Sequence, residues 1–107
     1  MTPLEQAKEY INSFCEFEYG DPADFDNLRD IPIAYTDYEE LGISVSVSVN
    51  LVDYKIEYDY RCPYNVEYDR LEYDVFNTLE EMLPVLECMT FDCLVCLPDD
   101  MVGDADD

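Results

Sequence analysis

The sequence predicts an α+β domain: a small antiparallel β-sheet of three to four strands, N-terminal and C-terminal helices packed on one face, and an acidic opposite face. Three observations carry this reading. Residues 43–51 alternate Ile, Val or Leu with Ser or Asn over nine positions, the period-2 signature of a half-buried antiparallel strand. Segments opening at Thr2 and around Asn77-Thr78 join a capping signature to apolar residues at helical spacing. A chain of 107 residues folds as one domain and can bury roughly two-thirds of its unfolded surface.

The elements follow in order. Thr2 caps, Pro3 suits the first helical position and Glu5 completes a capping box. Leu4, Ala7, Ile11, Phe14 and Cys15 then form one apolar stripe, and Gly20-Asp21-Pro22 is a stop. Residues 22–30 read as a loop or one short turn, with Phe25 and Leu28 tucked inward. Ile31 to Thr36 contains Pro32 and fits an edge strand, and Asp37 to Gly42 connects it to the alternating run. After a turn near Val52-Asp53, Tyr54, Ile56, Tyr58 and Tyr60 share one face, while Lys55, Glu57, Asp59 and Arg61 share the other. Cys62-Pro63 breaks that strand. A further strand is expected from Tyr64, with a bulge near Asp69-Arg70 resetting its phase so that Leu71, Tyr73 and Val75 face in and Glu72 and Asp74 face out. Leu79, Met82, Leu83 and Leu86 follow as a helix that Pro84 should kink or restart. Phe91 to Leu97 fits either a strand or a helical turn. The domain is read as residues 1–97, and residues 98–107 as a disordered acidic tail.

The charge balance excludes much. There are 27 Asp and Glu against 5 Lys and Arg and no His, a formal charge of −22. Direct binding to nucleic acid or anionic membranes needs clustered cations, and the basic residues at 8, 29, 55, 61 and 70 form no cluster. Without His, neither a Ser-His-Asp nor a Cys-His system can be built within this chain. The first residues lack a basic and then apolar leader, and no stretch approaches membrane-spanning length, so a cytoplasmic protein is expected. Yet 49% of residues are hydrophobic and 14% aromatic, which argues against wholesale disorder.

Carboxylates are the candidate chemistry. Glu-Tyr-Asp occurs at 57–59, 67–69 and 72–74. On a strand each triplet places two carboxylates on one face about 6.6 Å apart, comparable to successive phosphates of a nucleic-acid backbone. Glu57, Asp59, Glu67, Asp69, Glu72 and Asp74 are therefore expected to converge on the solvent face, joined by Asp37, Tyr38, Glu39 and Glu40 of the first connection, as a partner-binding surface. Such crowding costs stability through self-repulsion, and a basic partner is one reason to keep it; solubility or adaptation to high salt is another. Of the tyrosines, Tyr54, Tyr58, Tyr60, Tyr68 and Tyr73 read as core-side and Tyr35 and Tyr38 as exposed.

Other chemistries fit less well. With so many acids, a general acid–base pair has almost no specificity as a signal, and no catalytic residue is assigned. Asp21, Asp24 and Asp26 miss the calcium-loop pattern. Cys88, Cys93 and Cys96 have the C-x₄-C-x₂-C spacing of plant-type iron–sulfur proteins, but no fourth Cys follows; a zinc site adding Cys62 is conceivable on the same grounds. Buried or free thiols are the preferred reading, with no metal and no cofactor.

The stretches Pro3 to Glu16, Phe25 to Tyr35 and Asn50 to Tyr54, with Leu79-Glu80-Glu81, resemble the large polyvalent protein-associated domains of Firmicutes conjugative elements and phages, some of which stand alone. The resemblance spans about the first sixty residues and the late helix; the Tyr/Glu/Asp-rich strands and Cys-rich end depart from it. It carries no catalytic motif. It implies a mobile-element setting, in which small acidic proteins commonly disarm host nucleases. The expectation is thus a non-enzymatic inhibitor that mimics nucleic acid and blocks the basic channel of a nucleic-acid-binding protein, a CRISPR effector nuclease before a restriction enzyme, acting as monomer or homodimer. The alternative is an accessory interaction domain whose acidity serves solubility.

Overall fold

The computed structural model describes residues 1–99. Its elements are α1 (Pro3–Tyr19), β1 (Ile31–Tyr38), β2 (Ile43–Asn50), β3 (Lys55–Arg61), a 3₁₀ turn (Val66–Tyr68), β4 (Arg70–Val75), α2 (Leu79–Cys88) and α3 (Phe91–Leu94). The strands form an antiparallel meander in the order β1-β2-β3-β4. The α+β architecture with helices at both ends is as expected.

Local chemistry sets α1. The Thr2 hydroxyl accepts from the Glu5 amide at 3.2 Å, and the Glu5 carboxylate accepts from the Thr2 amide at 3.3 Å, with Pro3 at the first position. Such a cap is worth about 1 kcal/mol. Gly20 closes the helix at φ 81°, its N–H donating to the Glu16 carbonyl. Ala7, Ile11 and Cys15 are buried and Leu4 and Phe14 partly so, so the apolar stripe faces the sheet and α2.

The connections are built by specific polar groups. Leu51 N–H donates to the Leu28 carbonyl at 2.8 Å, tying the α1–β1 connection to the β2–β3 turn; Phe25 and Leu28 pack against the core. Asn50 is the one buried polar residue of the described core. Its Oδ1 accepts from the amides of Val52 and Asp53 at 2.9 and 2.8 Å, and its Nδ2 donates to Asp53, so burial leaves it satisfied.

The alternation of β2 appears as burial. Ile43, Val45, Val47 and Val49 are buried beside Ile56 and Tyr60 of β3, with Ser44, Ser46 and Ser48 on the outer face. Ile31, Ile33 and Ala34 of β1 complete the layer, with a bulge between Pro32 and Ala34. Met82, Leu86, Leu94, Val95 and Leu97 close it from the helical side. Each fully buried aliphatic residue contributes about 1.5–3 kcal/mol.

Three expectations are corrected. Residues 64–68 are not strand: Tyr64 and Val66 are exposed, and the phase is reset by the 3₁₀ turn rather than by a bulge in a continuous strand. The phase of β4 is the reverse of that expected. Ile56 pairs with Asp74, Tyr58 with Glu72 and Tyr60 with Arg70, which puts these charged residues on the helix side and Leu71, Tyr73 and Val75 on the outer face with Glu57 and Asp59. The reason is that the core closes without β4, none of whose residues is buried. Tyr58 and Tyr60 already cap its margin, and the half-buried Tyr58 hydroxyl needs an acceptor there, which Asp74 supplies at 2.7 Å. Tyr73 is consequently 45% exposed rather than core-side. Tyr38, expected outside, packs against the core because its hydroxyl donates to the Val95 carbonyl at 2.7 Å. Of the two effects expected of Pro84, a restart does not occur, since α2 runs through it; the amide it lacks would have met the carbonyl of exposed Glu80, which water can satisfy.

Phe91–Leu94 is helical, capped by Thr90. The acidic tail assigned to 98–107 lies, from residue 100, outside the described residues.

Candidate functional site

An open groove of about 840 Å³ lies on the outer face of the sheet. Its floor is Tyr35 of β1, Ser46 and Ser48 of β2, Glu57, Asp59 and Arg61 of β3 and Leu71 of β4. One wall comes from the end of α1 and the connection after it: Cys15, Tyr19, Asp21, Pro22, Asp24 and Asp30. The stop at Gly20 and the approach of Cys15 to the Pro32 carbonyl (4.0 Å) bring this acidic connection to the rim beside β1. Ala23 N–H donates to Asn12 Oδ1 at 3.0 Å and anchors it to the helix.

Electrostatically the groove is one-sided. Asp21, Asp24, Asp30, Glu57 and Asp59 line it against a single guanidinium, Arg61. That cation is already engaged: its Nε lies 2.8 Å from Asp59, and this hydrogen bond holds its pKa above the usual arginine value. At the other end of β3 on the outer face, Lys55 lies 3.7 Å from Glu57 and 4.6 Å above the Tyr73 ring. Arg29 pairs with Asp53 and Arg70 with Glu72. Four of the five basic residues thus serve neighbouring carboxylates, and 5 cations cannot offset 27 acids.

The expected binding residues do not converge on one face. Glu57 and Asp59 lie on the groove floor, and Asp37 is exposed on the same face opposite Ser44. Glu39 and Glu40 are exposed in the β1–β2 turn. Glu67 and Asp69 sit in the exposed segment before β4, where Asp69 accepts from the Cys62 amide at 3.3 Å. Glu72 and Asp74 belong to the opposite face, beside Tyr58, and Tyr38 is a packing residue. The strands themselves carry mixed charge on the outer face; the connection supplies the excess. Asp21, Asp24 and Asp30 went unrecognised as a wall, and the one local signal for them was the density of Asp between Gly20 and Ile31.

The cysteines divide by environment. Cys15 and Cys62 are buried, while Cys88, Cys93 and Cys96 are exposed. Burial pushes the Cys15 thiol up to about 11, which keeps it protonated and unreactive near neutral pH. Burial likewise pushes the Tyr19 phenol at the groove wall up to about 12, helped by the nearby Cys15 and Glu18. Among the described residues no three Cys, Asp or Glu side chains converge as a metal-ligand set. No helix among the described residues is long and apolar enough to cross a membrane. Comparison with family models, with curated proteins and with solved structures finds no match, so the reading of this surface rests on its geometry and charge.

Proposed function

We propose that this chain is a non-catalytic inhibitor of a mobile genetic element, acting in the cytoplasm of a bacterial host. In this reading it occupies the basic nucleic-acid channel of a defence nuclease, a CRISPR effector before a restriction enzyme. The observation that carries the reading is the groove of five carboxylates whose one guanidinium is already paired. A surface of that kind cannot be neutralised from within and favours an external cation. The floor carries the small side chains of Ser46 and Ser48 beside its carboxylates, and the exposed Tyr35 offers an amphipathic contact of the type common at interfaces. A second reading, an accessory interaction domain whose acidity serves solubility, draws on the division of the carboxylates between both faces of the sheet.

The test uses a purified single-protein CRISPR effector with its guide. Mimicry predicts inhibition of cleavage, competition with target DNA, and an affinity that falls at least tenfold between about 50 and 500 mM salt. Glu57→Lys with Asp59→Lys should abolish inhibition while leaving the circular dichroism spectrum unchanged. Binding that is flat in salt, or that coexists with bound target, refutes mimicry; no binding to effectors or restriction enzymes favours the accessory reading.

A further inference from the structure

The sheet has two edges, and they are treated differently. On β1, Pro32 removes an amide and a bulge follows it, both recognised devices for blunting an edge. On β4, Arg70–Val75 runs in unbroken register with β3, without Pro or bulge, and every residue from Leu71 to Val75 is exposed. No described residue pairs with its outer side.

The direction of its free backbone groups follows from one hydrogen bond. Phe76 N–H donates to the Tyr54 carbonyl at 2.8 Å, continuing the register in which Val75 opposes Lys55. In an antiparallel ladder, residues alternate in the side to which their amides and carbonyls point. Phe76, Asp74 and Glu72 therefore turn toward β3, and Leu71, Tyr73 and Val75 point away from the sheet. Side chains alternate with the same period. The free edge thus offers three outward backbone pairs flanked by apolar side chains on the outer face and, on the helix side, by Glu72, which shares its charge with Arg70 at 3.0 Å, and Asp74, which accepts from Tyr58 and has no cation beside it in β4. Beside those carboxylates is a hollow of about 230 Å³ between β4 and α3, with Tyr58, Tyr60, Cys93 and Cys96 in its lining, roomy enough for the end of a long side chain.

We propose that β4 is a docking edge for an extended segment of a protein partner whose residues alternate apolar and Lys or Arg, added antiparallel. Main-chain bonds would hold such a strand, and alternate side chains select it: apolar residues against Leu71, Tyr73 and Val75, cations against Glu72 and Asp74. A second copy of this chain is the wrong occupant, because antiparallel pairing about Tyr73 sets Glu72 of each chain against Asp74 of the other. The proposal rests on the basic-partner reading for the sign of the charge and not for the identity of the partner.

The probe is a fluorescein-labelled octapeptide, Val-Lys-Thr-Arg-Val-Lys-Thr-Arg, added to the whole protein at about 150 mM salt. It should bind at least tenfold more tightly than an isomer of equal composition with its four cations in one block. Because antiparallel pairing turns the Val and Thr amides toward β4, N-methylation at those positions should abolish binding and N-methylation at Lys and Arg should spare it. Glu72→Lys with Asp74→Lys, exposed positions whose folding is verified by circular dichroism, should weaken the alternating peptide at least tenfold. Equal binding of both isomers, equal effects of the two N-methylations, or sedimentation showing a dimer without peptide overturns the proposal. Peptide binding that persists while no nuclease is inhibited would count against the inhibitor reading alone; inhibition without peptide binding would count against this edge alone.

Discussion

The phase of β4 is open to a direct energetic test, because the two phases give different costs for the same substitutions. Leu71 is 52% exposed and Val75 71% exposed on the outer face. Full burial of such side chains is worth about 1.5–3 kcal/mol each. Scaled by the half of Leu71 and the third of Val75 that is covered, replacing both with Thr should cost about 1–2 kcal/mol in total. Thr is itself a good strand residue, so backbone preference adds little. Had these residues faced the helices, the change would bury two hydroxyls and open a cavity, costing roughly 4 kcal/mol or more. Urea unfolding followed by circular dichroism reads the difference, provided the m-value is unchanged. Val47→Thr, at a position 1% exposed in the centre of β2, calibrates the inward case in the same protein. A loss of about 4 kcal/mol or more for the Leu71/Val75 pair, with the m-value held, would refute both the placement of β4 and the docking edge built on it.

Two further predictions concern stability. Since burial raises the Cys15 pKa from 9.0 to about 11, the folded state favours the neutral thiol; its contribution is complete below pH 9 and is lost as pH rises toward 11. Between about pH 8 and pH 10 this amounts to about 1.4 kcal/mol, read as the difference in alkaline slope between wild type and Cys15→Ala; identical slopes would mean that Cys15 is not sequestered. The second compares two positive-φ glycines. At Gly20 (φ +81°) an added Cβ meets nothing within 4 Å, so Gly20→Ala should cost only the conformational penalty of about 1 kcal/mol, whereas at Gly42 (φ +67°) the Cβ would stand 2.7 Å from Tyr64 Cδ2. The excess cost of Gly42→Ala should vanish in a Tyr64→Ala background, as thermal melts of the four variants will show.

The features legible in the sequence are those decided locally. The capping box at Thr2 and the left-handed stop at Gly20 need no distant partner, and both bound α1 as read. In β2, one face is Val and Ile and the other Ser, so alternation also names the inward face. In β4, Arg70-Leu71-Glu72-Tyr73-Asp74-Val75 alternates just as clearly, yet alternation identifies two faces without saying which is inward. That choice depends on how far the helices reach across the sheet, a tertiary fact. They stop short, and the polar phase takes the helix side because Tyr58 and Tyr60 border it. The wall of the groove was hidden for a related reason: Asp21, Asp24 and Asp30 become a wall where the end of α1 meets the β1 margin, a contact between segments that local pattern does not encode.

Two carboxylates outside the groove, Glu72 and Asp74, decide what the open edge can accept. Any strand added to β4 gains the same main-chain hydrogen bonds, so those bonds do not discriminate between occupants; the side chains do. In pairing with a second copy about Tyr73, the apolar face would gain two Leu71–Val75 contacts and one Tyr73–Tyr73 contact, each worth about 0.2–1 kcal/mol. The other face would set Glu72 against Asp74 twice. At a separation of about 5 Å each such pair repels by about 1 kcal/mol in water and about 3 kcal/mol at the effective dielectric of a protein surface, so repulsion offsets or exceeds the apolar gain, and the remaining charge of the molecule adds to it. Substituting cations on the incoming strand reverses the sign of those two terms and leaves the apolar ones intact. The charge therefore acts as a selector at this edge: it opposes self-pairing, the usual hazard of an unblunted strand, and leaves the edge open to a basic one.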